Sequence, residues 1–363
     1  MSQLRTVQVL GGGAGSSAHV TSLATGLVAR GVQVTVCAPA DGEHARTFPA
    51  TGARFTPVPR RGDPASVVAL RAACADADVV HAHGLHAAVR AGLALSGRST
   101  PLVMTWHHRA HAEGARRRML HLLERRANRA AAVVLGTSSE LVDRARLRGA
   151  RDARLAPAAM PPGRPTLVHG GKARAELGAV GRPLLVSAGV LAPHHGYHTL
   201  LDAVHGWREL DPVPLLVVAG EGREEEALRH RVVDEGLPVV MTGRRDDLGE
   251  LLAAADLAVV PGGEDGRPAV AREALRLGVP LVAAGSGAVR DLVGQAAELV
   301  PYGDAPALTG AVLRLLGDPG RREQLAGAGR RQAAGWPTEE DTVAHVLSVY
   351  DELAQPLSVA GRG

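Results

Sequence analysis

Lysine is nearly absent from the sequence. Of 41 basic residues in the 363-residue chain only Lys172 is a lysine, and the arginines that make up the rest face 37 acidic residues. The net charge of +4 is small and dispersed, which excludes a nucleic-acid partner held on a basic stripe. Aromatic residues are scarce too, with two Phe, three Tyr and three Trp. A binder of single strands needs stacking platforms, so that class is also excluded. Two cysteines, Cys37 and Cys74, cannot build a disulfide framework and suit a reducing compartment. No apolar stretch reaches the ~18 uncharged residues of a spanning helix. The opening MSQLRTVQVLGGGAGSS lacks the long apolar run of a signal peptide. A cytoplasmic protein is expected.

What the sequence does have is two rounds of the same pattern. Apolar, β-branched runs at 6–10, 32–36, 78–81, 102–105 and 132–136 are interleaved with helix-period segments at 18–30, 85–95, 113–129 and 138–148. Residues 156–165 (APAAMPPGRP) have no period and read as a linker. The pattern restarts with runs at 184–190, 215–220, 239–242, 257–261, 281–284 and 298–300, helices fit at 197–208, 223–235, 247–254, 268–277 and 305–316, and two C-terminal helical segments follow at 319–334 and 338–352. Short buried runs separated by helices indicate parallel βαβ units. The chain is also too long for one core, since single cores stop growing near roughly 250–300 residues. The expected class is α/β, with two Rossmann-like doubly wound domains facing a cleft. The expected domains are 1–160 and 161–336, with a C-terminal helix in the segment 337–363 packing back on the first.

Two loops carry chemistry. Gly11 to Ser17 joins the first strand to the first helix, and its side-chain-free backbone, ending at a helix N-terminus, favours an anion. Gly13-x-Gly15-x-x-Ala18 satisfies the dinucleotide fingerprint, but Cys37, Ala38, Pro39 and Ala40 stand where a ribose-holding acid belongs and Asp41 comes late. An NAD-dependent oxidoreductase stays as a lesser alternative. The second loop is Pro261 to Pro268, with Glu264, Asp265, Gly266 and Arg267 ahead of a helix that Pro268 opens. On one continuous helix, Asp265 and Glu273 would lie within about 80° of each other and could hold sugar or ribose hydroxyls. Equally, Asp265 is an N-cap and Glu273 a solvent-facing residue.

The order of these segments resembles the retaining glycosyltransferases of family 4, which have the GT-B fold, over nearly the whole chain. GSSAHVTSLA (15–24), DVVHAHG (78–84), TWH (105–107), SAGVLAPHHGYHTLLDAV (187–204), VVAGEGREEEAL, TGRRDDLGELLAAADLAVVP, AREALRLGVPLVAAGSG and LVPYGDAPAL are similar to the family's successive motifs. The resemblance implies transfer of a hexose from a nucleotide-diphosphate sugar to an acceptor, with retention and with no cofactor or metal. It implies catalytic or sugar contacts at His107, Asp265 and Glu273. Donor contacts are implied at Gly15, Ser16, Gly189, His195, Gly243, Arg244, Glu264, Gly266, Arg267, Pro268 and Ala269. The acceptor side would hold His19, His81, His83 and Arg109. The acceptor itself, whether lipid-linked, a glycan or a small molecule, is not legible.

The sequence departs from the family where an Arg and, five residues on, a Lys usually neutralise the leaving diphosphate. Here Val190 and His195 stand in those places. A GT-B binding or scaffold protein with little transferase activity is therefore the alternative. Residues 109–129 hold seven arginines around Met119, Leu120, Leu122 and Leu123. Such a helix either lies on the inner face of an anionic membrane or packs its leucines on the domain core. Nine of the sixteen histidines fall in three clusters, His81/His83/His86, His107/His108/His111 and His194/His195/His198. No cysteine or HExxH accompanies them, so no metal is expected.

Overall fold

The computed structural model describes residues 3–10, 14–40, 43–59, 63–107, 114–156, 159, 170–262, 268–285 and 287–354. The chain divides into two units, Met1–Pro161 with Pro337–Gly363, and Pro162–Trp336.

Unit 1 contains β1 (Arg5–Leu10), α1 (Ala14–Ala29), β2 (Gln33–Pro39), α2 (His44–Ala50), β3 (Arg54–Val58), α3 (Ala65–Ala73), β4 (Val79–His83), α4 (Leu85–Ala94), β5 (Leu102–Trp106), α5 (Gly114–Ala130), β6 (Val133–Gly136), α6 (Ser139–Leu147) and β7 (Ala153–Leu155). The strands are all parallel, in the order β3-β2-β1-β4-β5-β6-β7. Central strands buried on both faces are mostly apolar, and every residue of β4 and β5 is buried, His81, His83 and Thr105 included.

In unit 2 come α7 (Gly170–Glu176), β8 (Leu184–Ala188), α8 (Tyr197–Val204) with a following 3-10 turn, β9 (Leu215–Ala219), α9 (Glu225–Asp234), β10 (Val239–Gly243), α10 (Leu248–Ala253), β11 (Leu257–Val260), α11 (Ala269–Leu277), β12 (Leu281–Ala284), α12 (Gly287–Val293), β13 (Glu298–Val300), α13 (Ala305–Gly317) and α14 (Pro319–Ala334). Its parallel sheet runs β10-β9-β8-β11-β12-β13. The last helix, α15 (Glu339–Ala354), belongs to unit 1. It buries Val343, Val346, Val349 and Tyr350 in one cluster with Leu10, Val20, Leu23 and Leu27. Gly26 permits this, because a Cβ there would meet Val343 Cγ2 at 2.4 Å.

Six elements lie where the sequence pattern shows none. β3 holds Pro57 and β7 is three residues long, and both are edge strands with half-exposed residues. α2 carries Pro49 in its last turn. α3, α7 and α12 are seven to nine residues long, a length at which a 3.6-residue period stands out in some helices, α6, α8 and α11 among them, and not in others. Among the described residues no helix is long and apolar enough to cross a membrane.

Candidate functional site

Unit 2 carries a cavity of about 490 Å³ at the carboxyl ends of β8, β9 and β11. The strand order reverses at β8, between β9 and β11, and such a switch point is where an open parallel sheet takes its ligand. The walls include Ala188 to Val190 at the end of β8, Ala219 to Glu221 at the end of β9, Arg244 and Arg245 after β10, Val260 to Gly262 at the end of β11, and Pro268 to Val270 at the start of α11.

Glycine lets these turns close on one another. Gly220 has φ +149°, and a Cβ there would sit 1.9 Å from the Gly189 carbonyl oxygen. Gly196, in the left-handed conformation with φ +78°, would likewise drive a Cβ to 2.3 Å from the Pro261 carbonyl oxygen.

The cavity favours an anion. Ala269 and Val270 open α11, where the first amides have no acceptor within the helix, and Pro268 at the N-cap offers no side-chain hydrogen bond. Those amides and the positive end of the helix dipole form an anion site. Arg244 on the wall has 76% of its side chain exposed. Arg245 is pinned to Asp247, with Nε donating to Oδ1 at 2.8 Å. His195 lines the cavity as well, and Val190 stands in its wall 57% exposed.

Of the expected donor residues, Gly189, His195, Arg244, Pro268 and Ala269 come together here. Gly243 contributes from behind the wall, its carbonyl accepting from the Gly220 N–H at 2.8 Å. Glu273 does not line the cavity; 18% of its side chain is exposed, and Arg276 lies 3.8 Å away. Glu264, Asp265, Gly266 and Arg267 lie outside the described residues, as do Arg109, His108 and His111. Pro268 has ψ 131°, so helical geometry begins only at Ala269. Tyr197, Glu221, Arg245 and Leu248 line the cavity without having been expected as site residues. Burial pushes the Tyr197 phenol up to about 12, so it is a neutral wall group. Glu221 and Arg245 stand inside motifs already singled out, which is the signal that could have found them.

A second constellation lies in unit 1, again where the strand order reverses, between β1 and β4. The register pairs Gln8 with His81, Leu10 with His83, and His83 with Thr105, so their side chains share the face covered by α1 and α15. Gln8 Nε2 donates to Tyr350 Oη at 3.0 Å, and its Oε1 therefore accepts from His83 Nε2 at 2.9 Å. His81 is held at both nitrogens, by Tyr350 Oη and by Thr105 Oγ1, each at 2.6 Å. His19, from α1, closes the group with its ring centroid 5.6 Å from His83 and 4.9 Å from His107, just past β5.

Burial holds these rings neutral. His81 falls to about 3 and His19 to about 4, and His83 lies well below the usual range because its neighbours His81, His19 and His107 add to burial. One expectation needs correcting. His81 cannot face an acceptor, since it is fully buried and both its nitrogens are engaged inside the unit. It braces the group instead. Gly15 and Ser16 lie in the first turn of α1. Gln8, Thr105 and Tyr350 were not expected at a site. Gln8, a polar residue inside an apolar strand, was the legible signal; Tyr350 arrives from 342 residues away and had none.

Two family profiles cover most of the chain, "Glycosyl transferase 4-like domain" at residues 14–161 and "Glycosyl transferases group 1" at 172–332. A D-inositol 3-phosphate glycosyltransferase from Xylanimonas cellulosilytica is 30% identical over 310 residues, which is 77% of this chain and 72% of that protein. The chain belongs to the family 4 glycosyltransferases. Another relative, the GDP-mannose-dependent monoacylated alpha-(1-6)-phosphatidylinositol monomannoside mannosyltransferase of Corynebacterium glutamicum, is 34% identical over 168 residues. That match takes in 43% of this chain and spans less than half of the relative, 44% of its length. Among solved structures, HepE of Anabaena in complex with UDP superposes with a TM-score of 0.81 at 20% identity, covering 97% of this chain and 100% of that one. The fold is therefore that of the GT-B members of family 4. In this member the arginine usual for the family at the end of β8 is an exposed valine.

Proposed function

We propose that the chain is a retaining hexosyltransferase, with a nucleoside-diphosphate sugar held in the cavity of unit 2 and a hydroxyl of the acceptor taking the sugar. The observation that carries this is the N-terminus of α11, with no capping side chain among the described residues, opening into a cavity of about 490 Å³ floored by the glycine backbone at Gly189 and Gly220. A site of that volume suits a nucleotide sugar, and the helix end suits its diphosphate. In the transfer, the bond from the anomeric carbon to the diphosphate breaks with its electron pair on the leaving oxygen. The acceptor oxygen bonds to that carbon, and its proton leaves to the diphosphate or to water.

Within this reading His107 and Asp265 contact the sugar, Glu273 the ribose, and Glu264, Gly266, Arg267, Pro268 and Ala269 the diphosphate end. Gly15 and Ser16 lie toward the reacting centre, while His19, His83 and Arg109 serve the acceptor side. The relatives' names pair GDP-mannose with inositol lipids, which favours a lipid-linked acceptor. The exposure of Met119 and Leu122 among exposed arginines of α5 supports contact with an anionic membrane. Leu120 and Leu123 of the same helix pack on the core, the other expected use of α5.

Val190 favours a second reading, a donor-binding protein with little transfer, because an uncharged residue at that point of the wall leaves the departing diphosphate less stabilised. A panel of nucleotide sugars separates the two. Release of nucleoside diphosphate with an α-configured product, lost in Glu273→Ala, supports transfer. Stoichiometric binding without release supports the second reading, and neither binding nor release with any donor refutes both.

A further inference from the structure

The geometry points to a transition-metal site of the zinc class, built from His19, His83 and His107. One ring nitrogen from each of the three lies within 4.8 Å of the others. Three points so spaced have a centre no more than about 2.8 Å from any of them, and a zinc–imidazole bond is about 2.0–2.1 Å. Each ring therefore needs to close by less than about 0.8 Å, within the reach of small side-chain rotations.

The neighbouring His81 shows what a purely structural histidine does here: it spends both nitrogens on protein partners. His83 spends only one. Its Nε2 donates to Gln8 Oε1, which leaves Nδ1 as a lone-pair nitrogen, buried and with no hydrogen-bond partner. His19 Nε2 is buried with no partner either. Burying such atoms unmatched is costly, and an ion at the centre satisfies them together. A ligating histidine ordinarily donates its other N–H to a fixed oxygen, and the Gln8–His83 hydrogen bond supplies that arrangement, with Tyr350 holding Gln8.

Three imidazoles without a carboxylate or thiolate suit zinc, cobalt or nickel ions rather than magnesium or calcium. His19 also lines a cavity of about 190 Å³ that can admit the ion and a water as fourth ligand. The three ligands come from α1, β4 and the residue after β5, so none of the clusters seen in the sequence contains the set. The inference does not rest on the transferase reading. If both hold, the ion and a sugar compete for His107.

The test is Co²⁺ titration of the full chain after chelator treatment, read by the ligand-field absorption of the bound ion, followed by displacement with Zn²⁺. One tetrahedral-type Co²⁺ per chain is expected. His19→Gln and His107→Gln should each weaken it by at least about a hundredfold, and Gln8→Leu by about ten- to a hundredfold. Because Gln8 and His83 are buried, the half-buried His19 and His107 carry the result if the other variants do not fold. No Co²⁺ absorption, or absorption that survives in both half-buried variants and so belongs to other histidines, overturns the proposal.

Discussion

Ala269 offers a substitution whose effects on stability and on binding run in opposite directions. It is the first residue of α11, it is exposed, and it stands in the wall of the unit 2 cavity. A carboxylate at that position complements the helix dipole, so Ala269→Asp should leave stability unchanged or raise it by about 0.3–1 kcal/mol. The same carboxylate faces the bound diphosphate. With two negative charges about 6 Å away, repulsion runs from about 1.4 kcal/mol at the dielectric constant of water to about 5.5 kcal/mol at the value typical near a protein surface. Donor affinity should therefore fall at least about tenfold. Ala269→Asn, of nearly the same size and uncharged, separates charge from bulk and should bind almost as the wild type does. Calorimetric titration with a nucleoside diphosphate measures affinity, and thermal melting measures stability. The reasoning fails if Ala269→Asp binds like the wild type, or if Ala269→Asn loses as much affinity as the aspartate.

Val190→Arg places a cation in the cavity wall at an exposed position that tolerates it, and should tighten nucleoside-diphosphate binding about tenfold; an unchanged or weaker affinity contradicts that. Glu124 is fully buried and accepts from Arg144 Nη2 at 2.7 Å and from Arg148 Nε at 3.1 Å. Glu124→Ala should cost about 3 kcal/mol in chemical denaturation, the low end for a broken buried pair because both arginines retain some water contact, and a loss under about 1 kcal/mol would show the pair to be dispensable. Paired Met119→Ser and Leu122→Ser substitutions should reduce cosedimentation with anionic vesicles without altering the melting temperature, and high salt should reduce it in the wild type. Cys37 and Cys74 are buried, and burial pushes their thiols up to about 12 and about 11, so a thiol reagent at pH 8 should label neither until the chain unfolds.

The long, doubly buried strands and the helices of ten or more residues were legible because burial on both faces leaves an apolar run and amphipathic helices leave a 3.6-residue period. The edge strands β3 and β7 were not, since β3 holds Pro57 and buries one residue of five and β7 is three residues with one buried, whereas the edges β10 and β13 keep consecutive apolar residues. For the candidate site, the positions read from motif order, Gly189, His195, Arg244, Pro268 and Ala269, meet in one cavity. Glu273 is not among the residues that line it, and α11, which carries it, begins only at Ala269. The histidine group shows the limit of spacing arguments most plainly. Sequence proximity joined His81 to His83 and His107 to His108. In the fold, sheet register and the approach of α1 gather His19, His83 and His107, while His81 turns to Tyr350 and Thr105.

The decisive measurement is a titration of the wild-type chain and of Ala269→Asp with UDP, GDP and NAD. One nucleoside diphosphate bound per wild-type chain, at least about tenfold weaker in the variant, is the expected result. Binding of NAD alone, or of no nucleotide, or binding indifferent to the new charge, would place the donor elsewhere and contradict the assignment of the cavity.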